Sequence, residues 1–329
     1  MWCYEWYEAG IVRTRMAGAS TPLLPTDDEI DEIVLGPDSL IWQRFDDVRL
    51  FNGSGYALLM QVAHPTVGAG VRDHSTFERD PWGRLLRTVD YLFMLTYGGR
   101  EAANVGRRLR EVHKQIKGTN PDGSRYHALE PDAYAWVHAT LVEAGIRAHL
   151  RFVGPLRSDE IQRMYADYMP LGRLLGLRPD QLPPTWGEFL DYFDDIVEDT
   201  LVHHQTVDRV LRSFTAPGRP PQLPDATERL WKLLRIAPAR ALWTTSVGLL
   251  PPVLRDRFEL EWSALNETEF RALGAASRAL GPVLPGRLRH MGPDYLRWRA
   301  DAIARGPLGP GGDPTEAGPS ADTALADAA

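Results

Sequence analysis

The 329-residue chain contains a single cysteine, Cys3. No internal disulfide can form, and neither a cysteine-ligated metal cluster nor a Cys-x-x-Cys-His attachment of a prosthetic group is available. The lack of disulfides fits a cytoplasmic protein, which is the expected location. No run of about 18 uncharged apolar residues occurs, so no transmembrane helix is expected. The nearest stretch, residues 241–254, is interrupted by Pro251-Pro252. A basic surplus is missing too: the formal net charge is −7, which argues against a nucleic-acid partner, because phosphates need cationic neutralisation. Several catalytic signatures are absent. There is no Gly-x-Ser-x-Gly elbow and no Gly-Lys-Ser/Thr phosphate loop. Gly53-x-Gly55 continues to Leu58 rather than to a third glycine, with no strand before it, and reads as a helix start. None of the nine histidines follows a carboxylate at three residues, and His-Glu-x-x-His does not occur. Bundle-type di-iron and zincin sites therefore lack their ligands.

Strand-like alternation is also scarce, and helical periodicity takes its place. It covers residues 38–48, 54–63, 83–97, 100–117, 131–150, 158–175, 186–212 and 293–304. Residues 225–250 read as helix in pieces broken at Pro238, and 252–280 as two helices. Short strands are expected near 67–72 and 124–128. The class is mainly α, one large helical domain over residues 31–304. Residues 1–30 are expected to be a flexible segment. Residues 305–329, rich in Gly, Pro and Ala, are expected to be a disordered tail. Met1–Arg15 lacks the apolar core and cleavage site of a secretory signal, and Met16 is a candidate natural start.

Polar groups beside apolar helix are costly unless paired or used, and they concentrate between His64 and Thr88. His64-Pro65 and Asp73-His74-Ser75 are followed by Arg84-x-x-Arg87-Thr88. Arg84 and Thr88 share a helix face, and Arg87 lies about 60° away. Such a face presents permanent cations and a hydroxyl to one small volume; surface salt bridges to Asp80 or Asp90 are the plainer reading. His113 falls on an apolar face with Val105, Leu109, Val112 and Ile116. His138 does so with Tyr134, Val137, Leu141 and Val142. Each is a candidate ligand or a satisfied core histidine. The acids Asp191, Asp194, Asp195, Glu198 and Asp199 run up to His203-His204. They read as a solvated stripe, with a non-haem metal site as the rival.

Taken together, these segments resemble the rubber-oxygenase (latex-clearing protein) and MpaB-type oxygenase superfamily. The resemblance is carried by Gly36-Pro37-Asp38-Ser39, Leu58 through Pro65, Asp73-His74-Ser75-x-Phe77 and Arg84-x-x-Arg87-Thr88. It continues through Val112-His113-x-x-Ile116-x-Gly118 and Trp136-Val137-His138-Ala139-Thr140-Leu141-Val142, spanning roughly residues 31–270. It implies a multi-helix orthogonal bundle enclosing a non-covalently held haem b. His113 matches the axial ligand to the iron, with His64 and His138 as its competitors. Arg84 and Thr88 match residues near the haem, and Arg87 stands where the rubber-oxygenase branch carries a lysine. Gly68 occupies the region of that branch's proposed glutamate base. The expected haem and catalytic groups are thus His113, His138, Arg84, Arg87, Thr88 and His64, with Arg107 and Arg110 as further cations. Leu86, Val89, Phe93 and the helix over 134–145 are expected as apolar wall. The implied function is a haem-dependent oxygenase acting with dioxygen, and with an electron donor, on an apolar unsaturated or aromatic small molecule. The alternative is a non-catalytic haem-binding sensor or carrier.

Overall fold

A computed structural model describes residues 24–75, 77–220 and 223–304. The expectations for Met1–Arg15 and for the tail 305–329 fall outside them. The described chain is mainly helical. Its elements are α1 (Asp27–Ile33), α2 (Leu40–Arg44), α3 (Ser54–Ala63), α4 (Pro65–His74), α5 (Pro81–Tyr97) and α6 (Glu101–His113). A hairpin follows, β1 (Lys117–Thr119) and β2 (Arg125–His127), then α7 (Pro131–Ala148), α8 (Ser158–Leu174), α9 (Trp186–Asp199) and α10 (Gln205–Thr215). The chain closes with α11 (Glu228–Leu234), α12 (Ile236–Leu249), α13 (Pro252–Arg257), α14 (Ala264–Leu280), α15 (Gly286–Arg289) and α16 (Asp294–Ala304).

Local chemistry explains the boundaries. Pro65, Pro81 and Pro131 each stand in the first turn of their helix, where a missing N–H costs nothing and φ is already helical. Asp80 caps α5 by accepting from the Gly83 amide at 2.8 Å. α1 begins inside the segment expected to be flexible, because Thr26 and Glu29 cap it reciprocally: the Thr26 amide donates to Glu29 Oε2 at 2.7 Å.

Several boundaries differ from those expected. Residues 67–72 are helix, not strand: Gly68, Ala69, Gly70 and Val71 are buried in succession on α4, so small residues packed on all sides imitate a buried strand. The other expected strand is present as β2, paired antiparallel with β1 in the register Gly118↔Tyr126. Gly123 closes the turn between them at φ +84°, a conformation that costs glycine nothing. The stretch 186–212 is split. α9 ends at Asp199, and His204 opens α10 by accepting the Thr206 amide on Nδ1 at 3.2 Å. The break in 225–250 falls at Arg235, not Pro238, which sits in the tolerant first turn of α12.

α3 and α7 form the centre. Tyr56, Leu59, Met60, Val62, Trp136, Ala139 and Val142 are fully buried, and α3 touches α4, α7, α10 and α12. The Trp136 indole donates to the Met60 carbonyl at 2.9 Å, satisfying its N–H inside the core. α5 and α6 pack as a pair, and α6 rests on α8.

Candidate functional site

Between these helices lies a cavity of about 1060 Å³. That is at the top of the range of about 300–1,000 Å³ common for small-molecule sites. Its walls come from α3, α5, α6, α7, α8 and α10 and are mostly apolar, with Leu58, Val89, Phe93, Leu141 and Leu171 among them. Exposed lining residues cluster between the start of α5 and the end of α10 (Glu78, Arg79, Pro81, Leu85, Arg212 and Ala216), where the cavity opens, with Phe51 and Ser54 exposed beside the start of α3.

His113 lines this cavity from the last turn of α6. Its Nδ1 is 2.6 Å from the Leu109 carbonyl, one turn back. A carbonyl only accepts, so Nδ1 carries the proton and Nε2 holds the lone pair. Nε2 has no hydrogen-bond partner among the described residues. Tyr134 meets the ring edge-on, centroids 5.6 Å apart, and its hydroxyl donates to the Leu175 carbonyl at 3.0 Å. Burial holds His113 below the usual imidazole pKa, the Leu109 bond partly opposing the shift, which favours the neutral ring. Its position in α6 rests on a close approach. A Cβ at Gly106 would lie 2.0 Å from the Leu174 carbonyl oxygen of α8, so only glycine lets the two helices meet there.

His138 also lines the cavity, from α7. Its Nε2 donates to the Tyr168 carbonyl at 3.1 Å, and the ring lies against Gly172. Burial lowers its pKa to about 4. Arg84 and Thr88 line the cavity from α5. The Arg84 guanidinium donates to Ser75 Oγ and stands over the Phe77 ring at 5.9 Å. The Thr88 hydroxyl donates to the Arg84 carbonyl at 3.0 Å, leaving its lone pairs available.

The remaining candidates stand apart from the lining. Arg87 points toward Asp80 at 3.4 Å, with Nε and Nη2 buried and without partners among the described residues. His64 is buried at the α3–α4 junction with Nδ1 likewise unpartnered. Arg107 pairs with Asp27 at 3.0 Å, and neither it nor Arg110 reaches the cavity. Of the expected wall, Val89 and Phe93 line it, whereas Leu85 takes the place of Leu86. His74 bonds the Lys117 carbonyl at 3.3 Å. His203 pairs with Asp208 at 2.8 Å, and no group of three or more metal-binding side chains converges among the described residues. Arg209 and Arg212 of α10 were not anticipated as lining residues. They arrive more than about 110 residues after the end of α5, with no local signal in their own sequence.

The family model described as "ER-bound oxygenase mpaB/B'/Rubber oxygenase, catalytic domain" matches residues 42–279. The chain belongs to this oxygenase family. Every residue lining the cavity falls inside the matched span. Two relatives, one from Mycobacterium bovis and one from Mycobacterium tuberculosis, each described only as an uncharacterized protein, are 28% identical over 235 residues. They cover 70% of this chain and 88% of their own length. No solved structure matches. Among the described residues of this mpaB/rubber-oxygenase domain, no helix is long and apolar enough to cross a membrane.

Proposed function

We propose that this protein is a haem b-dependent oxidoreductase that uses dioxygen on an apolar unsaturated or aromatic small molecule. The observation that carries the reading is the state of His113. A neutral imidazole lines the cavity, its Nδ1–H is spent on the Leu109 carbonyl and its Nε2 lone pair is unclaimed. Metal-ligating histidines almost always anchor their second nitrogen in this way, which fixes the ring and raises its basicity. The helix C-terminus adds in the same sense, since its carbonyls carry partial negative charge. His138 is the weaker candidate, because its Nε2 is already committed to Tyr168.

The residues present fit the cofactor. A single side-chain donor suffices when the macrocycle itself supplies four nitrogen ligands, and the apolar walls would exclude water. When bound, haem b supplies the redox-active iron at which dioxygen is activated. His113 holds it from α6. Arg84, a permanent cation steadied by Ser75 and Phe77, would pair with an acidic group of the cofactor. Thr88 offers a lone pair to a proton donor in the cavity, its own hydroxyl proton being tied to Arg84. Arg87 acts as a positioning residue through Asp80, the cap of α5. The apolar lining orients the substrate, and an electron donor is a further partner.

The test is to load the purified chain with haem and follow dioxygen uptake with an unsaturated isoprenoid or fatty acid. Uptake with stoichiometric product supports the oxygenase. A haem-loaded chain that consumes no dioxygen with any such substrate would make it a sensor or carrier.

A further inference from the structure

Among the described residues, α11 leaves an apolar face uncovered. Leu230, Leu233 and Leu234, and Ile236 at the start of α12, are each more than half exposed, and α11 contributes no buried residue. Arg229, Lys232 and Arg235 stand among them, without an ion pair among the described residues. One residue of this helix, Trp231, turns inward. Its indole donates to the Pro217 carbonyl at 3.1 Å, and Arg219 reaches Glu228 at 3.4 Å. Pro217, Gly218 and Arg219 line the cavity, and Gly218 is held in turn by the Trp82 indole at 2.8 Å. α11 is therefore fastened to the cavity mouth, where Arg79, Arg212 and the Arg209-paired Glu78 are also exposed.

We propose that α11 is an interfacial anchor that seats this mouth on an anionic lipid bilayer. The leucines enter the boundary between headgroups and acyl chains. Arg229, Lys232 and Arg235, with Arg79 and Arg212 at the rim, meet the headgroup charge. An amphipathic segment with leucine and tryptophan among basic residues binds in this manner. The charge distribution decides the occupant. The chain as a whole carries −7, yet beside this apolar face the acids Glu228 and Glu78 are paired with Arg219 and Arg209, which leaves Arg229, Lys232 and Arg235, with Arg79 and Arg212 at the rim, as a local cationic surplus. A second copy docked by two-fold symmetry would bring those cations against themselves. An acidic surface would not. Apolar substrates dissolve in the bilayer, so a mouth held there would receive them without crossing water.

The anchor does not depend on the haem reading, and its test uses the full chain as purified. Co-sedimentation is measured with vesicles of phosphatidylcholine alone and of phosphatidylcholine with an equal share of phosphatidylglycerol. The expected result is binding to the mixed vesicles that weakens with salt, and little binding to phosphatidylcholine. L233D/L234D lowers binding at least about tenfold. Arg229→Gln/Lys232→Gln lowers it about fivefold per cation removed. Both variants keep the wild-type melting temperature, because the side chains are exposed. Wild-type protein that ignores the mixed vesicles, or L233D/L234D that binds them as wild type does, overturns the proposal. So does a concentration-dependent dimer that L233D/L234D abolishes, since a second copy would then be the occupant.

Discussion

Replacing Gly106 with alanine tests whether helix packing places the proposed ligand. The added Cβ would lie 2.0 Å from the Leu174 oxygen and 2.8 Å from its carbonyl carbon. Carbon–oxygen contacts in proteins stand at about 3.3–3.6 Å, so α6 must withdraw from α8 by roughly 1.3 Å. Both obstructing atoms are backbone, and neither can swing aside. Alanine favours the helix itself by about 1 kcal/mol, while overpacking of this kind costs about 1–3 kcal/mol. With so short a contact the cost lies at the upper end, leaving a net loss of about 2 kcal/mol. At about 2–4 °C per kcal/mol, the melting temperature falls by roughly 4–8 °C. Gly106 and His113 are seven residues apart, within about 20° on the same helix face, so the displacement acts on the ligand's side of α6. Haem affinity should then fall about tenfold or more, the scale on which disturbed ligand orientation acts. Gly187 is the control. It is exposed in α9, and a Cβ there meets nothing within 4 Å; Gly187→Ala should leave haem affinity unchanged and the melting temperature equal or higher. Thermal unfolding and haem titration read both variants. A Gly106→Ala protein that melts at or above wild type and binds haem equally well would refute the packing argument.

His138 makes stability depend on pH. Burial lowers its folded-state pKa from 6.5 to about 4, so below pH 6.5 the unfolded chain takes up a proton that the folded chain refuses. This group costs nothing above that pH. Between about 6.5 and 4 it progressively destabilises the fold, by about 3 kcal/mol in all. His138→Gln should flatten the fall in melting temperature between about pH 7 and pH 5; identical slopes would contradict the assignment. Arg147 pairs with Glu143, whose side chain is 2% exposed. Arg147→Met removes the cation beside this buried carboxylate and should cost about 1–3 kcal/mol in chemical denaturation. Adding Glu143→Gln should recover a large part of that loss, and no recovery would show that the pair is not coupled.

Helix positions were legible because prolines and caps mark the starts and apolar spacing marks the faces. Residues 67–72 imitate a strand in sequence because Gly68, Ala69 and Gly70 carry too little side chain to show a period. The mainly α class and the family were legible from motif order. The choice among histidines was only half legible. His113 and His138 both sit on apolar faces; they differ in what their nitrogens meet. His138 spends Nε2 on a carbonyl of α8, 30 residues away, which no local pattern displays. His113 uses a carbonyl in its own last turn. Arg87's separation from Arg84 and Thr88 was implicit in its 60° offset. Arg209 and Arg212 join the site through tertiary packing alone.

The most direct test of the central reading is chemical rescue at the proposed ligand. Wild-type protein reconstituted with haem should give a sharp absorption spectrum, oxidised and reduced, characteristic of an imidazole-ligated iron. His113→Gly should lose that spectrum and regain it when free imidazole is supplied to the vacated space. A His113→Gly protein whose spectrum matches wild type without imidazole would contradict the account, and loss with rescue in His138→Gly instead would transfer the ligand to α7.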